Sequence, residues 1–206
     1  MSDNSFDDIR WLTGAIARGL ERRGGEGTAH VLERLAQQDL TAARFREPVP
    51  RRQPACTHLA QCIAETMLVD AKLAAALAAV EDRLNWCVST GYSDALLGEG
   101  FMANYGWCEI IGSTGFFPGE DFRLGLLLLG SHRHYKDHYH PAPELYWPLT
   151  GPSDWKRGAG GYESRNAGDI IWHKPFVMHA TRTLDTPLLA VWCWTEDTAT
   201  PAKLAG

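Results

Sequence analysis

The sequence predicts an α+β protein: a helical N-terminal region, residues 1–100, is followed by a single small β-barrel, residues 101–206. Alanine, leucine and charged residues dominate the first half, with apolar residues at helical spacing. After residue 100 the chain becomes a series of short aromatic or β-branched runs, separated by Gly, Pro, Asn and Asp. Closely spaced runs of this kind are typical of a sandwich or barrel. The length of 206 residues suits one domain, or one domain with an appendage.

The helical elements are predicted from the spacing of apolar residues. Residues 6–23 carry four of them near the 3.6-residue period, at Ile9, Leu12, Ile16 and Leu20. A second helix is predicted over residues 27–40, with Thr28 as its cap. Residues 44–57 hold three prolines and are predicted to be a connector. Residues 57–88 suit one long helix or two, and residues 91–101 suit a loop.

The β elements are predicted from five runs in the second half. The aliphatic block from Leu126 to Leu129 is the longest in the chain and is predicted to be a buried strand. The five runs cover residues 105–113, 122–131, 138–151, 161–173 and 187–196.

Composition excludes several classes of protein. A formal net charge of −5 gives no basic surface for nucleic acid. No apolar run approaches the roughly 20 residues that span a bilayer, so no membrane association is expected. The acidic N-terminus does not resemble a signal peptide, and we expect a cytoplasmic protein. Five cysteines without a CxxC pair suit reduced thiols.

One short segment, His-Tyr-His-Pro-Ala-Pro-Glu-Leu-Tyr at residues 138–146, concentrates polar chemistry. His138 and His140 would share one face of a strand, and Glu144 and Tyr146 keep the same parity across the prolines. Imidazoles and a carboxylate that face inward are costly to bury unpaired, and a divalent metal removes that cost. The alternative is that the histidine-rich stretch from His132 is a solvated loop.

The segment resembles the first motif of the cupin superfamily, which runs HxH, three or four residues, Glu, six residues, Gly. Here Gly151 completes the pattern that begins at His138. The second cupin motif has a counterpart in Gly168 and His179, eleven residues apart with Pro175 between them. The resemblance implies a jelly-roll barrel (a double-stranded β-helix) and makes His179 the preferred further ligand over His173.

The pattern YxxHxHxxxExY, from Tyr135 to Tyr146, resembles the cupin-type dimethylsulfoniopropionate (DMSP) lyases of the DddL/DddQ group. The resemblance implies a divalent metal (Fe, Zn, Mn, Co or Ni) at His140, Glu144 and His179, with Tyr146 as the base. It also places Tyr135 and His138 along the site. The expected residues are therefore, for the metal, His138, His140, Glu144 and His179; for catalysis, Tyr146 and Tyr135; and for the substrate, Tyr135, His138, Trp172 and Trp194.

The expected activity is that of a carbon–sulfur lyase, which cleaves DMSP to dimethyl sulfide and acrylate by β-elimination. Two alternatives stay open: another cupin metalloenzyme, such as a dioxygenase or an isomerase, and a non-catalytic cupin that binds a small ligand. Tyr146 as an ordinary strand aromatic is the structural alternative to its role as base. The N-terminal helices are expected to cover the barrel's open edge or to form a homodimer interface.

Overall fold

The computed structural model describes residues 4–205, in which helices precede strands. The α-helices are α1 (Ser5–Arg23), α2 (Thr28–Ala36), α3 (Leu59–Thr66), α4 (Ala71–Val80) and α5 (Asp94–Leu97). Short 3₁₀ segments cover Pro54–His58, Glu81–Arg83 and Met102–Asn104. No helix in this part of the chain is both long enough and apolar enough to span a bilayer.

The helix predictions are mostly confirmed. The four periodic apolar residues of α1 are fully buried. Residues 57–88 form two helices, because the carboxylate of Asp70 accepts hydrogen bonds from the backbone N–H groups of Lys72 and Leu73 and so starts α4. The prediction for Thr28 as a cap is wrong, because Gly27 occupies that position with a φ of 80°, which favours glycine. Residues 91–101 are not all loop, since α5 lies within them.

The second half forms ten strands within the described residues. They are β1 (Tyr105–Ile111), β2 (Arg123–Leu129), β3 (His134–Tyr139), β4 (Glu144–Pro148), β5 (Ser153–Arg157), β6 (Tyr162–Arg165), β7 (Ile171–His173), β8 (His179–Thr183), β9 (Leu188–Trp194) and β10 (Lys203–Leu204). Each of the five predicted runs contains a strand. The sequence did not predict β5, β8 or β10.

The strands form two five-stranded antiparallel sheets, in the orders β1-β2-β9-β4-β7 and β10-β3-β8-β5-β6. The first is called here the helix-side sheet and the second the outer sheet. Together they form a jelly roll, so the predicted jelly-roll barrel after a helical N-terminal region is confirmed.

The helix-side sheet packs on both faces, because alternate side chains of a strand point in opposite directions. On β2, Leu124, Leu126 and Leu128 belong to a core shared with the helices, while Leu127 and Leu129 belong to a second core between the two sheets. One hydrophobic core thus joins helices and strands. The division into regions 1–100 and 101–206 stays a prediction.

Candidate metal centre

Strand register places one row of polar side chains inside the barrel. Glu144 on β4 pairs with His173 on β7 and with Trp194 on β9, and Trp194 pairs in turn with Arg123 on β2. Directly paired residues on neighbouring strands project from the same face of the sheet. Tyr146 lies two residues after Glu144 and so follows it on the inward face.

His138 approaches this row from the other sheet, and His140 lies in the segment that joins the two sheets. β3 ends at Tyr139 and β4 begins at Glu144, so residues 140–143 cross from the outer sheet to the helix-side sheet. The shared parity of His138 and Glu144 therefore does not reflect one strand, since the two residues lie on strands of different sheets. The residues converge all the same, because the inward faces of the two sheets oppose each other. His179 on β8 pairs directly with His138.

Three side chains bring metal-ligating atoms together. One atom each from His140, Glu144 and His179 lies within 4.8 Å of the others, and all three residues are buried. The carboxylate Oε2 of Glu144 is 3.0 Å from Nε2 of His140 and 3.2 Å from Nε2 of His179. Backbone carbonyls orient both rings: Nδ1 of His140 lies 2.9 Å from the oxygen of Ala142, and Nδ1 of His179 lies 2.8 Å from that of Val177.

This donor set fits a divalent transition metal. A ring whose Nδ1 donates to a carbonyl can offer Nε2 to a metal, and both Nε2 atoms here point toward the carboxylate. Nε2 of His179 is buried and has no hydrogen-bond partner among the described residues. A cation would satisfy both Nε2 atoms and the carboxylate together, and the mixture of imidazole and carboxylate suits Zn, Fe, Mn, Co or Ni. The sequence prediction of a metal site at these three residues is thus compatible with the geometry.

The surroundings hold Glu144 as a carboxylate. Burial alone would raise its pKa, but the imidazoles of His140 and His179 outweigh burial and keep the pKa well below its usual range. The indole Nε1 of Trp194 also donates a 2.7 Å hydrogen bond to Oε1 of Glu144. Glu144 therefore offers one oxygen to the ligand cluster while its other oxygen is held by Trp194.

His138 lies beside the three-residue cluster and outside it. Its ring stacks on Tyr135 at a centroid distance of 4.0 Å and meets the ring of His179 at 4.1 Å. Nδ1 lies 2.8 Å from the carbonyl oxygen of Lys136. Burial, followed by the proximity of His179, holds the pKa of His138 well below its usual value. The neutral ring thus packs between Tyr135 and His179, a member of the cluster.

His173, which the sequence offered as a rival ligand, lies next to His179. Its ring stacks on that of His179 at a centroid distance of 4.1 Å and an interplanar angle of 13°. It is 1% exposed, and neither ring nitrogen has a hydrogen-bond partner among the described residues. Burial lowers its pKa well below the usual value. His173 therefore supports the ring of His179 from the side.

A cavity of about 400 Å³ opens next to the cluster. Tyr146 and Tyr135 both line it, together with Glu144 and Trp194. Burial and the neighbouring Glu144 carboxylate raise the pKa of Tyr146 well above its usual value. Burial likewise raises the pKa of Tyr135, whose hydroxyl is 2.7 Å from that of Tyr92.

The structure does not bring Trp172 to the cavity. It pairs with Leu145, which faces the helices, and its ring lies 6.2 Å from that of His30 in α2. It thus projects from the opposite face of β7 to the one that carries His173. Sequence reasoning missed the cavity residues Tyr92, Tyr105, Trp107 and Arg123, which no short motif connects to the histidines.

Comparisons with known proteins point to one family. The family model described as dimethylsulfoniopropionate lyase matches residues 26–190. The dimethylsulfoniopropionate lyase DddQ of Ruegeria pomeroyi is 29% identical over 113 residues, which are 55% of this chain and 56% of that protein. The matched stretch thus spans little more than half the length of this curated relative.

Solved structures agree with this match at the level of the fold. The crystal structure of DddQ from Ruegeria pomeroyi DSS-3 superimposes with a TM-score of 0.72 at 23% identity, over 99% of this chain and 98% of that one. A chain from the crystal structures of the DMSP lyases RdDddP and RnDddQII gives a TM-score of 0.73 at 21% identity, over 97% and 98% of the two chains.

Proposed function

The chain belongs to the dimethylsulfoniopropionate lyase family, and from this premise we propose that it is a metal-dependent carbon–sulfur lyase that cleaves DMSP to dimethyl sulfide and acrylate. The observation that carries the proposal is the position of Tyr146. Its ring lines a cavity that also contains Glu144, one of the three clustered ligand residues. The proposed base, one residue of the proposed metal site and room for a small zwitterion thus lie together, which supports the proposal.

His140, Glu144 and His179 would hold the metal, with His138 and His173 packed against the ring of His179. A divalent cation held there would supply positive charge that favours the ionised form of a neighbouring phenol and stabilises negative charge that develops on the substrate. Without it, burial and Glu144 raise the pKa of Tyr146, so the hydroxyl stays protonated. Tyr146 would thus be ionised more readily with the metal bound than without it, which supports a metal-dependent reaction.

Tyr146 is proposed as the general base. In its ionised form, the phenolate oxygen would take one proton from the carbon next to the substrate carboxylate. The electron pair of the broken C–H bond would form the carbon–carbon double bond as the bond to sulfur breaks. Dimethyl sulfide then leaves with the former C–S pair, acrylate remains, and the proton stays on Tyr146.

The remaining cavity residues suit a small substrate with a sulfonium group. Tyr135 packs with Tyr92 and Tyr105 at centroid distances of 5.8 and 5.5 Å, and all three line the cavity. A sulfonium is attracted to the face of an aromatic ring. We propose that Tyr135 and His138 line the substrate site on this side. Trp194 would contribute to the site through its hydrogen bond to Glu144, which holds that carboxylate in place.

The test is dimethyl sulfide in the headspace above purified protein supplied with DMSP and with Fe, Mn, Co, Ni or Zn in turn. We expect release that depends on added metal, with acrylate formed in equal amount. Oxygen uptake without dimethyl sulfide would favour a dioxygenase instead. Absence of both under every metal would contradict the proposed lyase activity.

A further inference from the structure

Two irregular segments complete the wall of the cavity, one from each half of the chain. Residues 88–92 line the cavity on one side, and Pro201 and Ala202 line it on another. The rest of the lining consists of side chains from strands of the two sheets. Because the strands are held in ladders, a path for a ligand has to open at one of these two segments.

The first segment is held firmly at both of its ends. Just before it, Cys87 exchanges two backbone hydrogen bonds with Trp107 of β1, at 2.7 and 2.9 Å. At its other end, the hydroxyl of Tyr92 lies 2.7 Å from that of Tyr135, which lines the cavity. Opening this segment would therefore break bonds to the cavity wall itself.

The second segment belongs to a strap, residues 196–205, which follows β9 and crosses from the helix-side sheet to the outer sheet. The carboxylate of Asp121 fixes its start, because it accepts hydrogen bonds from the backbone nitrogens of Asp197 and Thr198 at 3.1 and 2.9 Å. The hydroxyl of Thr198 donates a third bond, of 3.1 Å, to the same carboxylate. This anchor is separate from the cavity, which Asp121 does not line.

Beyond this anchor few interactions hold the strap. Within residues 4–205 the backbone nitrogens of Ala199, Thr200 and Ala202 donate no hydrogen bond. At the far end β10 pairs with β3 over two residues, and the amide of Ala205 adds one bond of 2.8 Å to the carbonyl of Asp137. Segments with few hydrogen bonds and few buried contacts are the first to open in a folded protein. The far end of the strap is therefore the weakest part of the cavity wall.

The position of the far end is linked to the site. Leu204 pairs with His138 and thus projects from the inward face of the outer sheet. Ala202 and Leu204 pack against the core between the sheets, which includes Tyr135 and Trp194. Release of β10 would withdraw both side chains from this core and uncover the cavity from that side.

We propose that the strap is a gate: β10 leaves β3 to admit a ligand to the cavity and pairs with β3 again to enclose it, while Asp121 holds the fixed end. The gate acts on any ligand of the cavity, and only its effect on DMSP turnover rests on the proposed function. Closure of this kind keeps water away from a site and strengthens the electrostatic interactions within it.

A disulfide between β10 and β3 tests the gate. Tyr139 and Lys203 are directly paired, and they point away from the cavity because their neighbours His138 and Leu204 point inward. Directly paired α-carbons lie about 4.5–5.5 Å apart, within the reach of a disulfide. Oxidation of the variant Tyr139→Cys/Lys203→Cys should slow two processes by about tenfold or more: Co²⁺ uptake by chelator-stripped protein, and dimethyl sulfide release by protein loaded with metal beforehand. Reduction, followed by removal of the reductant, should restore both rates.

The matched control is a second disulfide variant, Asp154→Cys/Ser164→Cys. Asp154 and Ser164 are directly paired on β5 and β6, at the edge of the outer sheet opposite β10. This disulfide also joins two outer strands, but it leaves the strap free. Its oxidation should change neither rate.

Hydrogen exchange of the wild type tests the motion without any ligand. The amide of Ala205 should exchange about 100-fold faster, or more, than that of Val191 in the central strand β9, because opening of the strap exposes the first amide alone. Equal protection of the two amides would overturn the gate, since β10 would then open only when the whole protein unfolds.

The gate and the lyase activity can fail separately. Slower Co²⁺ uptake in the oxidised strap variant, without dimethyl sulfide release from either form, would sustain the gate and reject the lyase activity. Co²⁺ uptake within about twofold in the oxidised and reduced forms would overturn the gate. Equal dimethyl sulfide release from the two forms would reject the gate and sustain the lyase activity.

Discussion

Some side chains in this site contact more than one functional neighbour. The two carboxylate oxygens of Glu144 face different groups, with Oε2 toward the imidazoles and Oε1 bound to Trp194. Trp194 in turn places its ring against Arg123. One tryptophan therefore links the ligand cluster to the basic group of the cavity, and the two ends of the site are held in fixed relation.

Tyr146→Phe tests the proposed base at the residue scale. The substitution keeps the ring, which packs 4.9 Å from that of Trp155, and removes the ionisable oxygen. Loss of a positioned base lowers the rate by about 10²–10⁴. We expect a loss of that size in dimethyl sulfide formation, with the fold retained. Tyr162→Phe is the control, because Tyr162 bonds His134 on the outer sheet, away from the cavity. Turnover of Tyr146→Phe within about threefold of the wild type, with metal intact, would exclude Tyr146 as the base.

The sequence predicted the clustered residues because a short motif contains two of them. His140 and Glu144 are four residues apart, and the spacing from Gly168 to His179 supplied the third. Arg123 carries no such signal. It meets Glu144 only through the register of β2, β9 and β4, which no local pattern encodes.

At the scale of elements, the crossing at residues 140–143 decides how the site is built. Two prolines end the β3 ladder there, and β4 resumes in the other sheet. Even spacing suggested a single strand, whereas the structure divides the motif between two facing sheets. The sequence did not predict β5 and β8 because both are short and mix charged residues with apolar ones, as in Asp154 and Lys156 of β5 or Arg182 of β8.

Gly19 tests how α1 packs on the helix-side sheet. A Cβ at Gly19 would lie 2.2 Å from the nearest ring atom of the buried Trp147. Gly19→Ala should therefore lower the free energy of unfolding by about 1–3 kcal/mol through overpacking, despite the better helix propensity of alanine. Gly14→Ala in the same helix is the control, since its Cβ would approach only the flexible end of Arg18. It should be neutral or stabilising by up to about 1 kcal/mol. If urea unfolding showed the same change in unfolding free energy for Gly19→Ala and Gly14→Ala, the close packing of Gly19 on Trp147 would be contradicted.

At the scale of the whole molecule, the two hydrophobic cores pack against opposite faces of the sheet that carries part of the site. The helices pack against one face of the helix-side sheet, and the ligand cluster lies on the other face. The sheet between them holds Glu144, Trp194 and Arg123 in register. The site is thus supported by elements from both halves of the chain.

Stability of the metal-free protein should fall with acid. Burial holds the pKa of His138 and His173 well below the value of an exposed histidine, about 6.5. Below pH 6.5 the unfolded chain therefore binds protons that the folded chain does not, and stability decreases as the pH falls. The loss should approach about 1.4 kcal/mol per pH unit for each histidine. Urea unfolding at several pH values between 7.5 and 5 measures this loss. His173→Phe should reduce the slope of the unfolding free energy against pH. A slope of zero, or stability that rises toward pH 5, would contradict this account.

The most direct test of the central claim is dimethyl sulfide release measured against metal content in the same samples, from chelator-stripped to fully loaded protein. If His140, Glu144 and His179 hold the catalytic metal, the rate should rise in proportion to occupancy. His140→Ala and Glu144→Ala should lose metal and activity together, while His134→Ala, a histidine on the outer sheet bonded to Tyr162, should keep both. Undiminished release from stripped protein, or full metal occupancy in His140→Ala and Glu144→Ala, would contradict the account.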